Sequence, residues 1–157
     1  VVQIIQPSFV SMVKKILDET GFDGSRLEFE ITESVFISYP EKVINTLKQL
    51  KEMGISIALD DFGTGYASLK YLQMLPIDTL KIDRTFVSGI GEMESGNQIV
   101  GSIIALAHSL GILVVAEGVE NMDQMNYLKE QKCDCVQGFL LSMPLEGDQV
   151  DQLIATA

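Results

Sequence analysis

Five short apolar runs in this chain each end in a carboxylate, an ammonium or an amide: Leu27-Glu28-Phe29-Glu30, Ile57-Ala58-Leu59-Asp60-Asp61, Leu80-Lys81, Val114-Val115-Ala116-Glu117 and Cys135-Val136-Gln137. If these runs are parallel strands of one barrel, their C-terminal ends converge on a single mouth. Glu30, Asp60, Asp61 and Glu117 would then crowd together with Lys81 and Gln137. Like charges at that density repel unless cations neutralise them, and hard divalent ions with oxygen ligands do so readily. Taken singly, a strand-end Asp or Glu is more often a helix cap or a solvated residue. Recurrence at five strand ends inverts that reading and points to metal-dependent hydrolysis.

The elements that must position these groups follow one rhythm. Helical segments at about 7–19, 41–53 and 97–110 each stop at a glycine, Gly21, Gly54 and Gly111, and each is followed by an apolar run at 27–31, 55–60 or 112–116. A left-handed glycine is a common helix stop, and Pro7 and Pro40 sit where a first helical turn tolerates proline. Pro76 closes a segment at 66–75 and opens a short strand at 79–82, while Asn121 is a candidate N-cap for a helix running to Gln131. A last strand and a terminal helix near 148–155 complete the pattern. Helix and strand alternate throughout, which predicts a parallel α/β sheet. Five strands in 157 residues is about 31 residues per unit, and eight such units would make roughly 250, a typical (β/α)8 barrel. The predicted fold is therefore an α/β, (β/α)8 TIM-type barrel present as an incomplete barrel of about five β/α units, with residues 1–157 forming part of one domain. An open doubly wound sheet is the competitor. The lack of a Gly-rich phosphate loop after any strand weakens it, but periodicity leaves the two nearly even.

Composition narrows the function classes. The chain is 46% apolar, enough for a proper core, and its 22 Asp and Glu against 11 Lys and Arg give a net charge of −11. That charge opposes binding to polymeric nucleic acid or to an anionic membrane surface. A small anionic substrate fits only if metals reverse the local field. No stretch approaches membrane-spanning length, so no membrane contact by this segment and a cytoplasmic location are expected. Cys133 and Cys135 are too few for a disulfide framework, read as reduced thiols, and are expected to point to opposite faces of a strand. His108, late on a helix, reads as an ordinary surface or core histidine. Asp61-Phe62-Gly63 spells the kinase triplet without any other kinase motif, and Gly63-Thr64-Gly65 lacks the third glycine of a dinucleotide fingerprint.

Glu30-Ile31-Thr32-Glu33-Ser34, the run from Asp60-Asp61-Phe62-Gly63-Thr64-Gly65 to Ser68-Leu69, Leu80-Lys81-Ile82-Asp83, Ala116-Glu117-Gly118-Val119-Glu120 and Gln137-Gly138 resemble, in order, the later motifs of the EAL-domain family. That family consists of bacterial phosphodiesterases that hydrolyse the second messenger cyclic di-GMP on a modified (β/α)8 barrel. The family's Glu-Ala-Leu and Asn-x-Ser motifs do not occur here. Val1-Val2-Gln3 resembles the stretch just after the asparagine motif, so the first three strands are expected upstream and residues 1–157 read as the C-terminal part of the domain.

The resemblance implies roles residue by residue. Glu30 and Asp60 match metal ligands, Asp61 suits a second ion, and Glu117 matches a glutamate that acts as base or organises metal and water. Lys81 matches the lysine that touches the attacking water or the scissile phosphate, and Gln137 would orient a water or Glu117 by neutral hydrogen bonds. The implied catalytic set is thus Lys81, Glu117 and Gln137, and the metal set Glu30, Asp60, Asp61 and Glu117. Glu33 matches a glutamate that anchors the loop after Asp61, to which Gly63 and Gly65 give freedom. Two ions, Mg2+ or Mn2+, are implied, with Ca2+ inhibitory because its looser coordination replaces them poorly. As partners the resemblance implies cyclic di-GMP and a homodimer formed through the region after the loop 61–69. It leaves open a parent with GGDEF or sensor domains and a membrane anchor.

Three functional readings follow: a cyclic di-GMP phosphodiesterase giving linear pGpG, a catalytically silent module that binds cyclic di-GMP and signals, and a non-enzymatic interaction piece whose open barrel edge recruits strands. The first is favoured because every matched position within this chain is intact, although the fragment alone is expected to be inactive.

Overall fold

The structure, a computed structural model, describes residues 3–35, 40–63, 69–91 and 94–156. The strands are β1 Glu28–Thr32, β2 Ser56–Phe62, β3 Thr79–Ile82, β4 Leu113–Glu117 and β5 Cys135–Gln137. Between and around them lie helices α1 Phe9–Thr20, α2 Pro40–Lys51, α3 Leu69–Met74, α4 Arg84–Val87, α5 Glu94–Ser109, α6 Met122–Glu130 and α7 Gly147–Thr156. All five strands are parallel and stand in the order β1-β2-β3-β4-β5. A doubly wound sheet reverses its strand order at a switch point, whereas a barrel adds each strand beside the last. The sequential order removes the open-sheet competitor.

Register divides the strand residues into two faces. Ile57, Leu59, Leu80, Ile82, Val114 and Ala116 share one face and are at most 1% exposed. They join one core with the buried stripes of α2 (Val43, Leu47, Leu50) and α5 (Val100, Ile104, Ala107), each spaced i, i+4, i+7. Such spacing presents one helical face to the sheet. At about 1.5–3 kcal/mol for each buried aliphatic side chain, this layer outweighs any single charged contact in the molecule. The opposite face carries Glu28, Glu30, Ala58, Asp60, Thr79, Lys81, Val115, Glu117, Cys135 and Gln137. Leu113 on that face is 56% exposed.

Local signals explain most boundaries. Asn121 accepts from the Gln124 amide while the Gln124 side chain reaches back to the Asn121 amide, a reciprocal cap that starts α6. Gly21, Gly54 and Gly111 all take positive φ after their helices. The helix expected over 66–75 is seen at Leu69–Met74, and its first residues lie outside those described. The reading of the cysteines needs correcting. Residues two apart on a strand share a face, and β5 begins only at Cys135, so Cys133 precedes the strand. Its thiol, pushed up to about 11 by burial, packs against the carbonyls of Val114 and Cys135. Both cysteines are free thiols.

Two aspartates brace the strand entrances. Asp78, just before β3, accepts the Ile57 amide at 3.0 Å and pairs with Lys51 of α2. Asp134, just before β5, accepts the Val114 amide and meets His108 Nε2 of α5, both at 2.8 Å. Each carboxylate therefore ties a strand, the next strand and the helix before them. Among the described residues no helix is long and apolar enough to cross a membrane.

Candidate active site

Lys81 is the centre of the charged cluster. Its position on β3 turns its side chain to the site face, where it is 7% exposed as a residue. Its Nζ donates to Glu30 Oε1 at 2.7 Å and stands 2.7 Å from Glu117 Oε1 and 3.1 Å from Asp60 Oδ1. β1, β2 and β4 thus each send a carboxylate to the one ammonium of β3. Burial works to lower the lysine's pKa, but the bonds to Glu117 and Glu30 and the contact with Asp60 outweigh it, so the group is held above its ordinary value. The ammonium is permanently charged at neutral pH.

The carboxylates form a tighter group on one side. Asp60, Asp61 and Glu117 each offer an oxygen, and these atoms lie within 4.8 Å of one another. Glu30 is not in that trio; it meets Lys81 at 2.7 Å, with half of its side chain exposed. Consecutive strand residues normally face opposite ways, so Asp60 and Asp61 could not both reach the mouth from a regular strand. β2 solves this with a bulge: the pairing passes from Leu59–Leu80 to Phe62–Ile82, three residues against two. Asp61 takes φ +55, a left-handed conformation costing of order 1 kcal/mol or more for a residue with a side chain. Strain of this kind is concentrated where function needs it. Burial raises the Asp61 carboxyl pKa, and repulsion from Asp60, Asp83 and Glu33 adds to the rise against the opposing pull of Lys81.

The chain leaving β2 is tied back to the turn after β1. Glu33, 5% exposed, accepts the Gly63 amide at 2.8 Å. Gly63 has φ +98, and a Cβ there would stand 2.6 Å from the Phe86 ring, so only glycine fits. Glu33 thus meets the chain two residues after Asp61, while Gly65 lies outside the described residues. On the far side, Gln137 pairs in register with Glu117. Gly138 holds this end close, since a Cβ there would meet the Val119 backbone within about 2.3 Å.

A cleft of about 230 Å³ opens beside the cluster, lined by Asp83, Arg84, Glu117, Gly118, Glu120, Gln137, Gly138 and Phe139. Sequence reasoning assigned no role to Asp83, Arg84, Glu120 or Phe139. Asp83 caps α4 through the Thr85 amide, and Arg84 stands 3.6 Å from Glu120. Asp83, two residues after Lys81, is a local N-cap signal for α4, but the sequence does not show that this short helix carries Arg84 to the cleft wall.

An oxygen-only donor set suits a hard cation such as Mg2+, Mn2+ or Ca2+. One further observation fits a cation: among the described residues, Asp60 Oδ1 is buried without a hydrogen-bond partner, with the Lys81 ammonium 3.1 Å away. A buried oxygen left without a bond is costly unless something fills its lone pair.

The EAL domain family matches residues 2–144, and the chain belongs to that family. It is 44% identical over 138 residues to the cyclic di-GMP phosphodiesterase NbdA of Pseudomonas aeruginosa, which covers 88% of this chain and 18% of that protein. The crystal structure of the EAL domain of Mycobacterium smegmatis DcpA superposes with a TM-score of 0.92 at 42% identity, covering 99% of this chain and 70% of that one. Klebsiella pneumoniae BlrP1 in complex with manganese and cyclic di-GMP gives 0.80 at 33% identity over 88% of this chain and 36% of that one, and BlrP1 has also been solved with calcium. The chain spans between 17% and 25% of the length of curated relatives such as these. The fold is accordingly that of EAL TIM barrels over part of their length.

Proposed function

We propose that the domain containing this chain is a metal-dependent phosphodiesterase that hydrolyses cyclic di-GMP to linear pGpG. The observation that carries this is the convergence of Asp60, Asp61 and Glu117 within 4.8 Å, beside a lysine held by carboxylates from three strands. Asp60, Asp61 and Glu117 would hold Mg2+ or Mn2+, with Glu30 adding a ligand from β1. When bound, a pair of such ions supplies a hydroxide-like nucleophile at neutral pH and stabilises charge on the leaving oxygen. The residues do the rest. Lys81 offers an ammonium N–H to a phosphate oxygen, Glu117 accepts the proton of the attacking water, and Gln137 orients that water without adding charge. Glu33 keeps Asp61 in place by holding the Gly63 amide.

The family resemblance also calls for a glutamate and an asparagine ligand in two motifs that residues 1–157 do not contain. The full-length domain should therefore convert cyclic di-GMP to pGpG in Mg2+ or Mn2+ and stop in Ca2+, while residues 1–157 alone give little or none. Product analysis by chromatography checks both. Binding in Ca2+ with no pGpG in either activating metal would make the domain a silent cyclic di-GMP receptor instead, and robust turnover by residues 1–157 would refute the division of ligands.

A further inference from the structure

We propose that Lys81 is a resident counter-ion that keeps the carboxylate cluster assembled in the metal-free protein and competes with the metal for its ligands. The inference rests on the metal reading of the site given above. Four carboxylates, Glu30, Asp60, Asp61 and Glu117, project to one end of the sheet, and three of them close on the Lys81 ammonium at 2.7, 2.7 and 3.1 Å. Such a cluster would fly apart, or take up protons, without a positive charge in its midst. Lys81 is that charge, and at 7% exposure it is shielded from solvent and salt.

The ammonium and a metal would draw on the same carboxylates, and the two cations repel one another across them. Asp60 and Glu117 belong both to the trio that would hold a cation and to the set that holds the ammonium. Asp60 Oδ1 is the oxygen already poised for exchange, since it lies near Lys81 without a hydrogen bond to it. When a divalent cation binds, Lys81 yields Asp60 and Glu117, and the N–H groups it frees become available to a phosphate. Metal loading and the readiness of the lysine for substrate are then one event. The arrangement lowers metal affinity in return for a site already formed before the metal arrives.

The test separates stability from affinity in the full-length protein. Melting temperature without metal, and Mn2+ binding by calorimetry, are measured for wild type, Lys81→Met and Lys81→Arg. Losing the ammonium leaves the clustered, partly buried carboxylates unneutralised, so Lys81→Met should lower the metal-free melting temperature by about 5 °C or more. It should nevertheless bind Mn2+ about tenfold tighter or better, because a competing charge has gone. Lys81→Arg should return the metal-free stability toward wild type, with Mn2+ affinity no higher than wild type. A merely structural lysine would lower both quantities together, so equal or weaker Mn2+ binding in Lys81→Met overturns the proposal. If Lys81→Met does not fold, lysine ammonium NMR of the wild type decides: the resonance missing in Lys81→Arg should shift on adding Mg2+, and an unmoved resonance overturns it. Wild type that neither binds Mn2+ nor gains stability from it would instead remove the metal reading, and this proposal with it.

Discussion

Asp60, like Glu117, belongs both to the carboxylate trio and to the contacts around Lys81. Asp60→Asn keeps its shape and removes its charge, and in the full-length domain turnover should fall by about 10² or more if metal activation of water is lost. Asp151→Asn, on exposed α7, should leave turnover near wild type. Equal losses in a pGpG assay would mean that the pocket is misplaced. Glu33→Ala should raise the Mg2+ concentration needed for half-maximal rate and lower kcat, since Asp61 loses the support that reaches it through Gly63. Superimposable Mg2+ curves would refute the anchoring role. Among single residues the sequence was informative about charge and silent about pairing. Strand-end positions mark Glu30, Asp60, Lys81 and Glu117, but only side-chain placement separates Glu30 from the trio, and only the start of α4 brings Arg84 to the cleft.

Elements were readable where their signals are local. Glycine stops, the Asn121 cap and the apolar stripes of α2 and α5 lie within a few residues of what they control. The bulge in β2 is not local, because it exists only relative to β3. Residue order alone therefore gives no reason for two adjacent aspartates to face one site. The strand braces escaped for the same reason: Asp134 meets His108 across 26 residues and Val114 across 20. Burial tends to raise the Asp134 carboxyl, but the bond and charge of His108 and the Val114 amide outweigh it, leaving its pKa below the ordinary value. Its stabilising contribution is therefore present above the unfolded pKa of about 4 and is lost as pH falls through the lower folded value. Asp134→Ala should cost about 1–3 kcal/mol near pH 7, as expected for a hydrogen-bonded carboxylate. Denaturant melts of both proteins should converge below about pH 3, and a gap that stays constant with pH would remove charge from the explanation.

For the whole molecule, sequential parallel order settles what periodicity left even, since strand neighbours are a property of the folded sheet alone. The chain belongs to the EAL domain family, and its site face is assembled from five strands of that barrel. A net charge of −11 makes the proposed chemistry depend on cations at every stage, from encounter with an anionic substrate to the arrangement of Lys81 among carboxylates. The proposed hydrolysis thus stands or falls on where the metal sits. Anomalous scattering at the manganese edge, from crystals of the full-length domain grown in Mn2+, locates the ion without reference to activity. A peak ligated by Asp60 is expected, with Asp61 or Glu117 in the same cluster and the Lys81 ammonium withdrawn beyond its 3.1 Å contact with Asp60. Manganese bound elsewhere, with Lys81 still held by Glu30, Asp60 and Glu117, would rule that placement out.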